Sequence, residues 1–213
     1  GGAGGGRGPS GGGVRTPVGA VIRLAVLASG EGTNLEAILR ACREGGLPAT
    51  VALVVADRNA PALERARRWG VPAQLLSPGS FPDRESYFAA LQRQLDEHRV
   101  DLVCLAGFMR ILPPSLVAAY HGRILNIHPS LLPAFRGLHA VRRALEYGVR
   151  ITGCTVHFVD EGVDTGPIVL QAAVPVEPDD TEETLLARIH EAEHRLYVEA
   201  IRLFAEGRLA LEG

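Results

Sequence analysis

The stretch Leu24-Ala25-Val26-Leu27-Ala28-Ser29-Gly30-Glu31-Gly32-Thr33-Asn34-Leu35 runs from unbroken apolar residues, through two glycines, into helical spacing. Residues 24–28 carry no polar side chain, which suits a strand covered on both faces. From Thr33 to Arg43, the apolar side chains Leu35, Ile38, Leu39 and Cys42 share one face of a helix. A buried strand that turns tightly into an amphipathic helix is the opening of a βαβ unit.

Outward from that unit the pattern repeats. Residues 51–56, 73–76, 101–106 and 123–127 read as further strands, and 61–69 and 83–98 as helices between them. Two later apolar runs, 151–159 and 168–176, are joined only by residues 160–167, too short a link for a parallel crossover helix, so these strands are antiparallel neighbours. A long helix over 182–206 follows. The expected fold is α/β: a single doubly wound, mostly parallel sheet with helices on both faces, antiparallel strands late in the chain and a long C-terminal helix. Residues 1–20 are rich in glycine with little to bury and read as a flexible tail, leaving 21–213 as one domain.

The 213 residues suit one core of this size, and a net charge of -2 with scattered charges leaves no basic stripe for nucleic acid or a membrane surface. No apolar run approaches the roughly 20 residues of a membrane span. Residues 21–28 loosely imitate a signal peptide, but Arg23 interrupts them and they lead into the glycine turn, so a core strand is preferred. The absence of a starting Met reads as a processed or truncated start. Cys42, Cys104 and Cys154 form no paired motif and read as free thiols of a cytoplasmic protein. The histidines show no metal-ligand spacing, so no metal is expected.

Three segments carry candidate chemistry. At Ser29-Gly30-Glu31-Gly32-Thr33-Asn34 the free amides of a helix start suit a phosphate, while an ordinary βα turn capped by Thr33 or Asn34 explains the sequence equally well. The segment lacks both the dinucleotide fingerprint and a P-loop lysine. At Asn126-Ile127-His128-Pro129, alternate residues project Asn126 and His128 into one crevice at a strand's carboxyl end, where doubly wound sheets bind ligands. The acidic link Asp160-Glu161-Gly162-Val163-Asp164-Thr165-Gly166-Pro167 is either a solvated turn or the source of a carboxylate, Asp164, that reaches His128 and raises its pKa. His157 reads as a satisfied strand residue, and Glu193 with His194 as a solvated helical face unless something draws it inward.

Together these segments, with Leu105-Ala106-Gly107-Phe108-Met109-Arg110-Ile111-Leu112, Asn126 to Pro133 and Val156-His157-Phe158, resemble the glycinamide ribonucleotide formyltransferase family from about Arg23 to Leu209. The resemblance implies formyl transfer from 10-formyltetrahydrofolate, as co-substrate, to the amine of glycinamide ribonucleotide in de novo purine synthesis, by direct attack. It implies that the amides of Gly32, Thr33 and Asn34 hold the phosphate and that Glu193 meets the glycinamide end. A folate pocket would be lined by Met109, Arg110, Ile111, Leu112 and Asn126, with Arg84 near the folate tail. Asn126, His128 and Asp164 match the catalytic three, with protonated His128 and Asn126 as oxyanion donors. Arg136 and His190 receive no role. The expected assembly is a monomer or weak homodimer.

Related enzymes share the loop after His128. Methionyl-tRNA formyltransferase adds a C-terminal domain with a basic surface, and formyltetrahydrofolate deformylase an N-terminal regulatory domain, so both are less favoured here. A non-catalytic nucleotide-binding module would need the glycine loop but not Asn126, His128 and Asp164 together.

Overall fold

The structure, a computed structural model, describes residues 21–211, so the expected tail over 1–20 lies outside the described residues. Seven strands form one sheet: β1 (Ile22–Ala28), β2 (Ala49–Ala56), β3 (Ala73–Leu75), β4 (Leu102–Leu105), β5 (Ile124–His128), β6 (Ile151–Phe158) and β7 (Ile168–Pro175). Their order is β3-β2-β1-β4-β5-β6-β7. The first five pair in parallel, and β5, β6 and β7 pair antiparallel, as the short link between the last two requires. The chain builds outward from β1 on one side, then returns to place β4 on the other, so the strand order reverses between β1 and β4.

Helices cover both faces, and β1 shows how the sequence divides between them. Leu24, Val26 and Ala28 pack on the layer formed by α1 (Thr33–Glu44), α2 (Pro61–Arg68) and α6 (Glu182–Ala205). Ala25 and Leu27 face the opposite layer of α3 (Arg84–Glu97) and α4 (Pro114–Ala119). Leu24 is fully buried, and truncating such a leucine to Ala costs about 2–5 kcal/mol. Helix α6 presents Leu185, Ile189, Tyr197, Ala200 and Ile201 inward at helical spacing. Its start is fixed by Thr181 and Thr184, whose side chains each accept the other's backbone N–H.

Three features depart from the sequence reading. Helix α4 begins at Pro114, in the first-turn position where a missing N–H costs nothing, so the Pro113-Pro114 pair starts a helix there. Helix α5 (Ala140–Tyr147), which follows a left-handed His139, likewise falls outside the expected helices. Finally, α1 is entered through Gly32 at φ 77°, with no side-chain cap from Thr33 or Asn34. A Cβ at Gly32 would stand 2.9 Å from Cα and Cβ of Ala62, so only glycine fits that turn. No described helix is long and apolar enough to cross a membrane.

Candidate active site

A cavity of about 640 Å³ opens at the carboxyl ends of β1, β4 and β5, where the strand order reverses. Its volume suits a ligand of drug or cofactor size. Gly32, Thr33 and Asn34 line one part, residues 105–112 another, and Asn126, His128, His157 and Asp164 lie on its wall with Glu193.

β5 brings Asn126 and His128 to the same side, and its antiparallel pairing with β6 sets Asn126 opposite His157. The β6–β7 link then supplies Asp164, held at φ 54°. Asp164 Oδ2 lies 3.3 Å from His128 Nδ1 and accepts the Gly137 amide at 2.9 Å. Its Oδ1 lies 3.6 Å from His157 Nε2 and 3.5 Å from Asn126 Nδ2. Arg136 Nε donates to the Asp164 carbonyl at 3.1 Å, so both ends of this left-handed residue are tied.

His128 is buried, and its Nε2 donates to the Phe135 carbonyl at 2.8 Å. Burial pulls the imidazole pKa below its ordinary value, outweighing the opposite pull of the Phe135 carbonyl and Asp164. This corrects the expectation of a standing imidazolium: Asp164 opposes the loss of the proton but does not offset desolvation. For Asp164 itself, burial raises the pKa, but the neighbouring His157 side chain, the Gly137 amide and the imidazole of His128 together bring it below the usual carboxylate value.

At the helix start, the uncapped first-turn amides of α1 and the positive end of its dipole face the cavity beside Glu193. Glu193 is buried, not on a solvated face, and desolvation pushes its pKa up to about 7 against a lowering hydrogen bond with Asn34. His190 also lines the cavity, with Nε2 3.6 Å from Glu193 Oε1.

The far wall is apolar. Met109 and Ile111 are 59% and 60% exposed although they border the cavity, so a ligand there would cover side chains that water now meets. Arg110 and Leu112 share this wall. Arg84 stands behind the cavity lining: its Nη2 donates to the Ile111 carbonyl at 2.5 Å and its guanidinium lies 4.8 Å from the Phe88 ring centre. Among the described residues, no group of three or more His, Cys, Asp or Glu is placed to hold a metal ion.

The formyl transferase family matches residues 22–201, nearly the whole described chain. The chain belongs to the formyl transferase family. It is 51% identical over 190 residues to the trifunctional purine biosynthetic protein adenosine-3 of Drosophila pseudoobscura pseudoobscura, covering 88% of this chain and 14% of that protein. The chain therefore spans about a seventh of that relative's length. It is 46% identical to phosphoribosylglycinamide formyltransferase of Escherichia coli (strain K12), covering 89% of this chain and 90% of that one. The crystal structure of glycinamide ribonucleotide transformylase 1 from Symbiobacterium toebii superposes with a TM-score of 0.90 at 60% identity, covering 92% of each chain.

In this member of the formyl transferase family the structure brings to the site three polar residues to which the motifs assign no role. His157, expected as a satisfied strand residue, lines the cavity against Asn126 and Asp164. The signal that would have found it is register: pairing β5 antiparallel to β6 sets His157 across from Asn126. Ser29, which opens the glycine-turn segment, and Asp57, which belongs to no motif, sit just past the ends of β1 and β2 and support the apolar wall from behind.

Proposed function

We propose that this chain transfers the formyl group of 10-formyltetrahydrofolate to the amine of glycinamide ribonucleotide, a step of de novo purine synthesis carried out in the cytoplasm. The observation that carries the reading is one cavity that joins uncapped helix amides, an apolar wall and the Asn126–His128–Asp164 cluster. The amides of Gly32, Thr33 and Asn34 would take the phosphate, and Glu193 the glycinamide end. Met109, Ile111 and Leu112 would cover the folate ring, with Arg84 and Arg110 toward its tail. Relatives that cover nearly the full length and carry this activity in their names support the assignment.

In this reading the free amine attacks the formyl carbon, forming a C–N bond and a tetrahedral centre with an oxyanion. Asn126 Nδ2 and the imidazole of His128 donate to that oxygen. The C–N10 bond then breaks, the carbonyl re-forms, and the proton lost by the amine is delivered to N10 through His128, with Asp164 stabilising the imidazolium as it forms. The His128 Nε2–H donated to Phe135 is the hydrogen that a reacting atom takes over when that carbonyl yields its place. No covalent enzyme intermediate is needed. The test supplies both substrates and measures formylated nucleotide and free formate. Stoichiometric formylated nucleotide is expected, whereas formate alone would make the chain a hydrolase.

A further inference from the structure

The wall that carries Met109 and Ile111 is held by three side chains from three elements. Ser29, just past β1, accepts the Met109 amide on Oγ at 3.0 Å. Arg84, on the first turn of α3, donates to the Ile111 carbonyl. Between them Asp57, the residue after β2, takes the Arg110 guanidinium, with Nε 2.8 Å from Oδ2. The Asp57 side chain has no exposed surface, and its other oxygen lacks a hydrogen-bond partner, with Arg58 Nε 3.9 Å away.

A carboxylate buried this way is a poor source of stability, because desolvation offsets much of its attraction to one partner. Its geometric effect is more specific. Arg110 is 41% exposed at the side chain and lines the cavity, and among the described residues Nε makes its only hydrogen bond to protein. With Nε held, the guanidinium plane is fixed and both amino groups remain available at the cavity wall.

We infer that Asp57 is a positioning residue for the folate donor: it holds Arg110 so that the guanidinium meets an anionic group of that donor in a fixed orientation. The inference rests on the folate reading of this wall. Asp57 acts on donor binding and leaves the reacting centre on β5 untouched. Asp57→Asn removes a buried charge yet keeps an acceptor oxygen, whereas Asp57→Ala removes both.

The test measures kcat, the KM for each substrate and the melting temperature for the full chain carrying Asp57→Asn, Asp57→Ala, Arg110→Met and Asp57→Asn with Arg110→Met. The KM for 10-formyltetrahydrofolate is expected to rise on the order of tenfold in Asp57→Ala and by less in Asp57→Asn. The nucleotide KM and kcat of both single Asp57 variants stay near wild type, and Asp57→Asn melts no earlier. Once Arg110 is Met, replacing Asp57 by Asn adds nothing to the donor KM. An unchanged donor KM in both folded variants, additive effects in the double variant, or a joint loss of kcat, both KM values and melting temperature would each overturn the inference. A wild-type chain that shows no saturable donor binding in a fluorescence titration would overturn the folate reading instead.

Discussion

Asn126 and His157 face each other across β5 and β6, with Asn126 Nδ2 3.4 Å from His157 Nε2. The His157 Nδ1 lies 2.8 Å from the Phe158 carbonyl, which can only accept, so Nδ1 carries the hydrogen and Nε2 of the neutral ring is an acceptor. That acceptor turns the Asn126 amide so that its NH2 end faces the centre of the cluster. His157→Phe keeps the ring volume and removes the acceptor. Turnover at saturation is expected to fall on the order of tenfold with both KM values little changed. Steady-state kinetics checks this, and an unaltered kcat would show that packing alone holds the amide.

His128→Ala is expected to lower kcat roughly 10²- to 10³-fold, the loss typical of a removed oxyanion donor. Circular dichroism and the melting curve should stay close to wild type, because the imidazole stands at a strand end and not within the packed layers.

Asp164→Asn tests the pH dependence. Burial already holds the His128 pKa below its ordinary value, and Asp164 pulls the other way. Removing that negative charge lowers the pKa further. In the proposed step neutral His128 takes up the amine's proton, so kcat rises as pH rises through the His128 pKa, and this rising limb moves to lower pH in the variant. A limb that stays in place would remove Asp164 from this role.

Glu193 links stability to pH. Its folded pKa of about 7 lies above the ordinary value of 4.5, so between these values the folded chain holds a proton that the unfolded chain releases. Its contribution favours folding below pH 4.5 and is lost as pH rises through 7. Glu193→Gln should therefore melt higher than wild type at pH 8, by a margin of up to about 3 kcal/mol, and the two should converge near pH 4. Denaturant titrations at several pH values measure the difference.

Gly32→Ala would force a Cβ against Ala62 at a left-handed φ. The expected cost is about 1–3 kcal/mol in unfolding free energy, together with a raised KM for the ribonucleotide as the helix start shifts. The donor KM provides the control and should change little.

Much of this architecture was legible because its signals are local. Apolar runs marked each strand to within two or three residues, and the short link over 160–167 required the late pair to be antiparallel. The alternation on β5 also put Asn126 and His128 on one side. What stayed hidden depends on contacts distant in sequence. The approach of Asp164 to His128, left open by the residues alone and implied by the resemblance, spans 36 positions through a left-handed backbone tied at both ends. His157 is assigned by register, and Glu193 is drawn inward by the packing of α6 on α1. The lowered His128 pKa was invisible for the same reason: the strength of desolvation depends on everything packed around a side chain, and a nearby carboxylate is one contribution among several.

In the proposed function, the three-point suspension of residues 109–111 separates recognition from reaction. Its anchors sit after β1, after β2 and at the start of α3, whereas the reacting cluster is built on β5 and the β6–β7 link. Substitutions at the anchors can therefore retune which folate derivative is accepted, its ring substituents or the length of its tail, while the chemical step keeps its speed. A change of donor preference has a ready route here that bypasses the bond-making centre entirely.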